Sequence, residues 1–407
     1  MIGVGRNGVN RALAAPSLAR VQRMQRSWRR GVDNMDNGTI PDGGGMNDES
    51  TNVPEKLRGW LRYALEMGAS DLHLVAGHPP VLRLHGDLIA MAEPPLTADE
   101  TAMFPASLCS TATAAQLQTQ KNVDFSLDLA MPGQIGRFRV NLFFSARQVA
   151  ACLRVVPIGI PDFEWAGFPI ELARRLAFLR DGLVIVTGAT GSGKTTTLAM
   201  IVNLLNQAGG FRIITVEDPV EYVYPKATNS VVSQRELGSD VLTFAEGLKY
   251  GLRHDPDVIL VGEIRDRDTA QMALSAAETG HLVFTTMHTR DAKGAISRYA
   301  DLFPMDVQRD LRSQLAMSLR AIVSQRLLPD IQKGAKRHLA LEVLWNTHAI
   351  ASSIRQGKLE SIDNYLMTHR DEGMVSIDES IRDLLKAGKI TREVAEQNAR
   401  EAAVLNR

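Results

Sequence analysis

The run Gly188-Ala189-Thr190-Gly191-Ser192-Gly193-Lys194-Thr195 spaces three glycines, a lysine and a terminal hydroxyl as a polyphosphate ligand requires. Glycines let backbone N–H groups turn inward around phosphate oxygens, the Lys194 ammonium meets the terminal phosphates, and the Thr195 hydroxyl can ligate Mg2+. Thr196, next in the chain, is counted with the nucleotide-binding residues. The chemistry expected of this segment is ATP binding.

Hydrolysing a bound ATP also needs Mg2+ against the phosphates, an anion that orients or deprotonates water, and donors for charge on the terminal phosphoryl group. Three more segments offer these groups. Arg212 to Val216 leads into Glu217-Asp218-Pro219-Val220-Glu221, Asp257 to Val261 into Gly262-Glu263, and His281 to Thr286 into Met287-His288-Thr289. Glu263 is expected in the Mg2+ and water network. Glu221 is the first choice for activating water, with Glu217 and Asp218 as alternatives, and His288 is the expected sensor of the terminal phosphate. His281 is a weaker nucleotide-site candidate. Seven residues of extended chain at about 3.3 Å each put roughly 20 Å between the two histidines, so His281 is expected at the opposite sheet edge, in a subunit contact or in a structural hydrogen bond.

These groups must be positioned by a sheet. The glycine-rich run follows apolar Leu183 to Val186 and precedes a helical pattern from Thr196 to Val202. From Phe168 onward apolar strands alternate with amphipathic helices, the pattern of a parallel sheet covered on both faces, in which ligands sit beyond the carboxyl ends of the strands. All four segments stand at such ends. The expected class is α/β, with a core over residues 176–330 and a helical region over 331–407, including Asp378 to Ala387 and Arg392 to Val404.

Upstream, Leu57, Trp60, Leu61, Ala64, Leu65 and Met67 repeat at helical spacing and stop at Gly68. Short strand-like segments follow at Asp71 to Val75, Pro80 to His85 before a Gly86-Asp87 turn, Val123 to Leu129, Gly136 to Phe144 and Val149 to Val156. Residues 53–157 therefore read as a smaller α+β domain, and 158–175 as a hinge marked by Pro157, Gly159 and Pro161. Residues 1–32 hold seven arginines and no acid, and 33–53 are rich in Asn, Asp and Gly. Residues 1–52 are expected to be disordered or a mis-assigned extension. The glycine run before Met46 would be encoded by purine-rich codons able to serve as a ribosome-binding sequence, which makes Met46 a candidate start.

With 407 residues, 44% hydrophobic, the chain can bury two or three cores. The 46 basic and 46 acidic residues balance, which counts against a nucleic-acid partner, as does the lack of a basic stripe interleaved with aromatics. Two cysteines, Cys109 and Cys152, are too few for a disulfide framework or a four-cysteine zinc site and suit a cytoplasmic chain. No apolar run approaches the roughly 20 residues of a membrane span, so a soluble protein that meets membranes through partners is expected.

The four boxes in this order resemble the secretion ATPase superfamily that powers type II secretion and type IV pili, in particular the PilT-like twitching-motility retraction ATPases. Supporting segments are Gly68 to Leu74 with Gly77 and Pro79-Pro80, Arg137 to Asn141, Thr215 to Glu221, Gln234-Arg235-Glu236, Asp255 to Asp266 and Ala277 to Thr289; the similarity covers about residues 53–400. The resemblance implies a RecA-like ATPase domain, a PAS-like smaller domain, a hexameric ring, and an inner-membrane pilus platform as partner at its cytoplasmic face. It implies too that arginines of the smaller domain reach phosphates, some across subunits; Arg137, Arg139, Arg147 and Arg154 fall on the matching stretch, with Arg139 and Arg147 favoured. The missing zinc cysteines set the chain apart from extension and type II secretion ATPases. Ala349-Ile350-Ala351-Ser352-Ser353-Ile354 departs from the Ala-Ile-Arg-Asn-Leu-Ile of retraction proteins, which leaves an accessory retraction paralogue or a secretion or DNA-transfer traffic ATPase as alternatives.

Overall fold

The computed structural model describes residues 53–84, 87–131, 134–156, 159–332 and 336–406. The expected extension over 1–52, the candidate start at Met46, the turn residue Gly86 and hinge residue Pro157 lie outside them. The chain divides into two compact units between Val156 and Pro157.

The first unit opens with α1 (Glu55–Glu66), which buries Leu57, Trp60, Leu61 and Ala64 at helical spacing. Its C-terminus is followed by Gly68 at φ 65°, a left-handed position suited to glycine. Strands β1 (Asp71–Leu74), β2 (Val81–Leu84), β3 (Asp87–Ala90), β4 (Asn122–Met131), β5 (Gln134–Ser145) and β6 (Gln148–Val156) form an antiparallel sheet in the order β3-β2-β1-β6-β5-β4. Asp87, expected in a turn, begins β3. Alternation separates the faces: Leu72, Leu82, Leu153, Val140 and Leu142 are buried, while His73, Arg83, Arg139, Asn141 and Arg154 point the other way and are half-buried or exposed. Between β3 and β4 stand α2 (Ala98–Ala102), α3 (Phe104–Leu108) and α4 (Thr111–Gln120), started by the side-chain caps of Thr97 and Ser110 at α2 and α4.

In the second unit α5 (Phe163–Ala166) and α6 (Ile170–Ala177) occupy the expected hinge. The hinge expectation fails over α6 because Ala173, Leu176 and Ala177 form an apolar stripe that packs in the main core with Phe168. Strands β7 (Gly182–Thr187), β8 (Arg212–Glu217), β9 (Val231–Glu236), β10 (Val258–Val261), β11 (Leu282–Met287), β12 (Leu319–Pro329) and β13 (Arg337–Trp345) make one sheet in the order β13-β12-β7-β11-β10-β8-β9. All neighbours are parallel except β12 and β13. Every residue of β7, β10 and β11 is buried, as a sheet covered on both faces demands.

The covering helices are α7 (Lys194–Ala208), α8 (Phe244–Gly251), α9 (Arg267–Glu278), α10 (Ala292–Asp301) and α11 (Gln308–Ser318). Then come α12 (His348–Gln356), α13 (Ser361–Thr368), α14 (Ile377–Lys386) and α15 (Arg392–Asn398). The helical expectation for 331–407 fails over β13. Its run Leu339-Ala340-Leu341 and Val343-Leu344-Trp345 is apolar without strict alternation, and nine registered pairs with β12 hold it as a strand. Arg392 to Val404 is likewise not one helix: α15 ends at Asn398 and a 3₁₀ turn begins at Ala402. No helix among the described residues is long and apolar enough to cross a membrane.

Candidate active site

The parallel register sets the site. Thr187 of β7 pairs Met287 of β11, Val261 of β10 pairs Thr285, and Val216 of β8 pairs Val261. Strands about 4.8 Å apart therefore bring the segment after β11 one step, that after β10 two steps and that after β8 three steps from the glycine-rich loop. Thr187 Oγ1 lies 2.7 Å from Thr289 Oγ1 and accepts from Thr289 N–H at 2.9 Å, tying the first two strand ends together.

Gly188, Gly191 and Gly193 all have positive φ, at 148°, 77° and 88°. A Cβ on Gly188 would stand 2.5 Å from the Gln325 carbonyl oxygen and 2.6 Å from Ser192 Oγ, so only glycine fits there. Gly193 precedes the 15-residue α7, which has no side-chain cap; its first-turn N–H groups and partial positive charge face the loop. Ser192 Oγ is buried with no hydrogen-bond partner, a donor the cradle leaves for a ligand. Lys194 is buried and donates from Nζ to the carbonyls of Gly188 (2.9 Å) and Ala189 (3.2 Å). Burial pushes its pKa down, against the opposing pull of Glu263 and then Glu221. A bound anion beside Lys194 would oppose this penalty as the two acids do.

Glu263 is buried between two side chains: Arg265 Nη2 lies 2.5 Å from Oε1, and His288 Nε2 lies 3.3 Å from Oε2. Burial and then Lys194 lower the His288 pKa, with Glu263 opposing, so the imidazole is neutral at pH 7. Lys194, Glu263 and His288 thus form one electrostatic group, joined by Glu221. Tyr222 brings Glu221 in: its hydroxyl lies 2.9 Å from Thr196 Oγ1, and Gln234 Nε2 donates to its carbonyl at 2.7 Å.

Glu217 is placed differently. Its Oε1 accepts from Thr215 Oγ1 at 2.6 Å and Gln234 Nε2 at 3.2 Å, a buried arrangement that braces β8 against β9. Asp218 is exposed, and its peptide bond to Pro219 is cis. His281 lies at the amino end of β11, where its Nδ1 is 3.0 Å from the Ala276 carbonyl and 3.2 Å from Thr279 Oγ1. Six strand residues separate it from His288, which removes it from the phosphate site of its own chain.

In the first unit Arg137 pairs with Asp128 (3.0 Å), Arg139 with Asp124 (3.8 Å) and Arg154 with Asp71 (3.0 Å). Arg147, exposed in the β5–β6 turn at φ 68°, has no ion pair among the described residues.

Sequence reasoning missed Gln325 and Arg337. Gln325 is buried behind the loop, donates to Thr197 Oγ1 at 3.0 Å and presents its carbonyl to Gly188. Arg337 of β13 places Nη1 3.5 Å from the Gly191 carbonyl. The side-chain bonds of the two span 128 and 146 residues of chain, and no local pattern marks them.

A model of the family described as type II/IV secretion system protein matches residues 47–405. The type IV pilus retraction ATPase PilT of Pseudomonas aeruginosa is 40% identical over 343 residues, covering 84% of this chain and 96% of that one. The type IV pilus ATPase PilU of the same organism is 35% identical over 348 residues, covering 86% and 89%. A crystal structure of the pilus retraction motor PilT with bound ADP superposes with a TM-score of 0.77 at 41% identity, covering 85% of this chain and 98% of that one.

Proposed function

The chain belongs to the type II/IV secretion system protein family, and on that premise we propose that it is an ATP-driven motor that retracts type IV pili. The carrying observation is the meeting of Lys194, Glu263, His288 and Glu221 beyond adjacent ends of one parallel sheet. The retraction role rests on the resemblance to PilT over nearly the whole of that protein.

The cradle fits MgATP: glycine at 188 lets the loop close against the Gln325 backbone carbonyl, Ser192 Oγ awaits a partner, and Thr195 and Glu263 would hold the metal. When bound, Mg2+ neutralises phosphate charge and orients the terminal phosphoryl group. Lys194 exchanges its two carbonyl acceptors for phosphate oxygens. Glu221 holds the attacking water and takes its proton, with Glu217 and Asp218 as the reserve assignments; Glu217 is the weaker, since its Oε1 is already engaged. His288 hydrogen-bonds the terminal phosphate and reports its loss through Glu263.

The working assembly on this reading is a hexameric ring at the cytoplasmic face of the inner membrane, acting on a pilus platform protein. The antiparallel sheet of the first unit is the PAS-like element. Its arginines supply phosphate contacts, and Arg147, the unpaired one of the four, is the guanidinium assigned to a neighbouring copy. A deletion strain scored for surface pili and twitching tests the role. Excess pili without twitching are expected; absent pili would assign assembly instead, and normal twitching would refute a main retraction role and leave an accessory one.

A further inference from the structure

The segment after α15 is built into the loop that carries His288. The Arg400 guanidinium reaches three carboxylates from three elements: Glu342 of β13 at 2.8 Å, Asp291 at 3.2 Å and Asp363 of α13 at 3.3 Å. Its backbone N–H donates to Asp378 at 2.6 Å, and the N–H of Glu401 to the same carboxylate at 3.1 Å, which fixes the segment to the start of α14. Arg326 of β12 adds a bond from Nη1 to the Asn398 carbonyl at 2.6 Å. Lys293 neutralises Asp363 from the other side at 2.7 Å.

This network ends three residues from the imidazole. Asp291 caps α10 by accepting from Gly294 N–H at 2.6 Å, and Glu342 Oε1 accepts from the adjoining Ala292 N–H at 2.8 Å. Thr289 Oγ1 donates to the Asp291 carbonyl at 3.1 Å, and Ser324 Oγ to the Arg290 carbonyl at 3.1 Å. The loop from His288 to Asp291 is therefore held at one end by Thr187 and at the other by Arg400. Glu342 is wholly buried, so without the guanidinium its charge would stand against Asp291 with no cation in contact. Repulsion would then act on the cap that fixes this loop.

We propose that Arg400 is a positioning residue for His288: by pinning Asp291 and Glu342 it sets where the imidazole meets the terminal phosphate, and so joins the C-terminal segment to hydrolysis. This rests on His288 being the phosphate sensor. In the full-length protein, Arg400→Ala is expected to lower kcat about tenfold, since small misplacements of a reacting group are costly, while the affinity for a fluorescent ATP analogue stays within about twofold. Arg400→Lys, which can meet one carboxylate but not three at once, should fall between. In a His288→Ala background the same Arg400→Ala change should alter kcat by less than about twofold. If Arg400→Ala does not fold, Asp291→Asn keeps the helix cap, loses the charge partner and serves the same comparison. Unchanged kcat in Arg400→Ala, or effects of Arg400 and His288 that multiply independently, would overturn the inference. Wild-type kcat in His288→Ala alone would overturn the sensor reading and the inference with it.

Discussion

Replacing Gly188 by alanine separates the steric role of the loop from its backbone role, with Gly191 as the internal standard. At Gly188 the added Cβ meets the Gln325 carbonyl oxygen at 2.5 Å and Ser192 Oγ at 2.6 Å, and the backbone sits at φ 148°. Overpacking costs about 1–3 kcal/mol and the backbone conformation about 1–3 more, so roughly 2–6 kcal/mol in all. At Gly191 the Cβ points into open space and only the left-handed backbone, φ 77°, is charged for, about 1–2 kcal/mol. The second unit is roughly 250 residues, a size at which each kcal/mol moves Tm by about 2–4 °C. Thermal melts of the nucleotide-free protein should therefore fall by about 4–24 °C for Gly188→Ala and about 2–8 °C for Gly191→Ala. If the loop relaxes instead of storing the strain, the loss moves to affinity, and 2 kcal/mol there is a roughly 30-fold weaker Kd for ATP. Melting and ATP titration of both variants read the two channels together. Gly188→Ala melting as high and binding as tightly as Gly191→Ala would refute the argument that the Gln325 carbonyl closes the back of the cradle.

Lys194→Ala should abolish the rise in Tm that ATP gives the wild type, measured in a melt with and without MgATP, because the cation facing the phosphates is gone. Arg147→Ala should cut ATPase activity at least tenfold with the oligomer unchanged by light scattering, as expected of a guanidinium supplied between subunits; full activity would remove it from the site. Burial raises the Glu342 pKa in the folded protein, so the folded state binds its proton more tightly and stability is lost as pH rises from the unfolded value near 4.5 through the raised folded one. Glu342→Gln has no such proton to lose, and its Tm relative to wild type should rise between pH 5 and pH 7; a constant difference would contradict this.

The loop, Glu263 and His288 were legible as strand-end groups because each stands next to the strand that positions it. A polyphosphate cradle is contiguous along the chain, and the ends of parallel strands are predictable places for ligand groups. Glu217 was legible as an acid at a strand end but not as a brace, because its fate depends on Gln234 in the neighbouring strand. That bond explains why a Gln-Arg-Glu segment accompanies the site: Gln234 and Glu236 accept from Tyr224 and Val220 N–H and anchor the loop that carries Glu221. β3 was missed because it is a short edge strand with mostly exposed residues, and α4 because Leu117 is its one buried residue. The Arg400 cluster gathers groups from positions 291 to 400, and only the folded sheet brings them together.

Strand-end residues of the second unit are proposed to form a hydrolytic site with Glu263 at its centre. Single-turnover analysis of Glu263→Gln with radiolabelled ATP tests it most directly. ATP is expected to bind with near-wild-type affinity and to be recovered intact, with turnover down about 10²–10⁴-fold. Hydrolysis at the wild-type rate would contradict it.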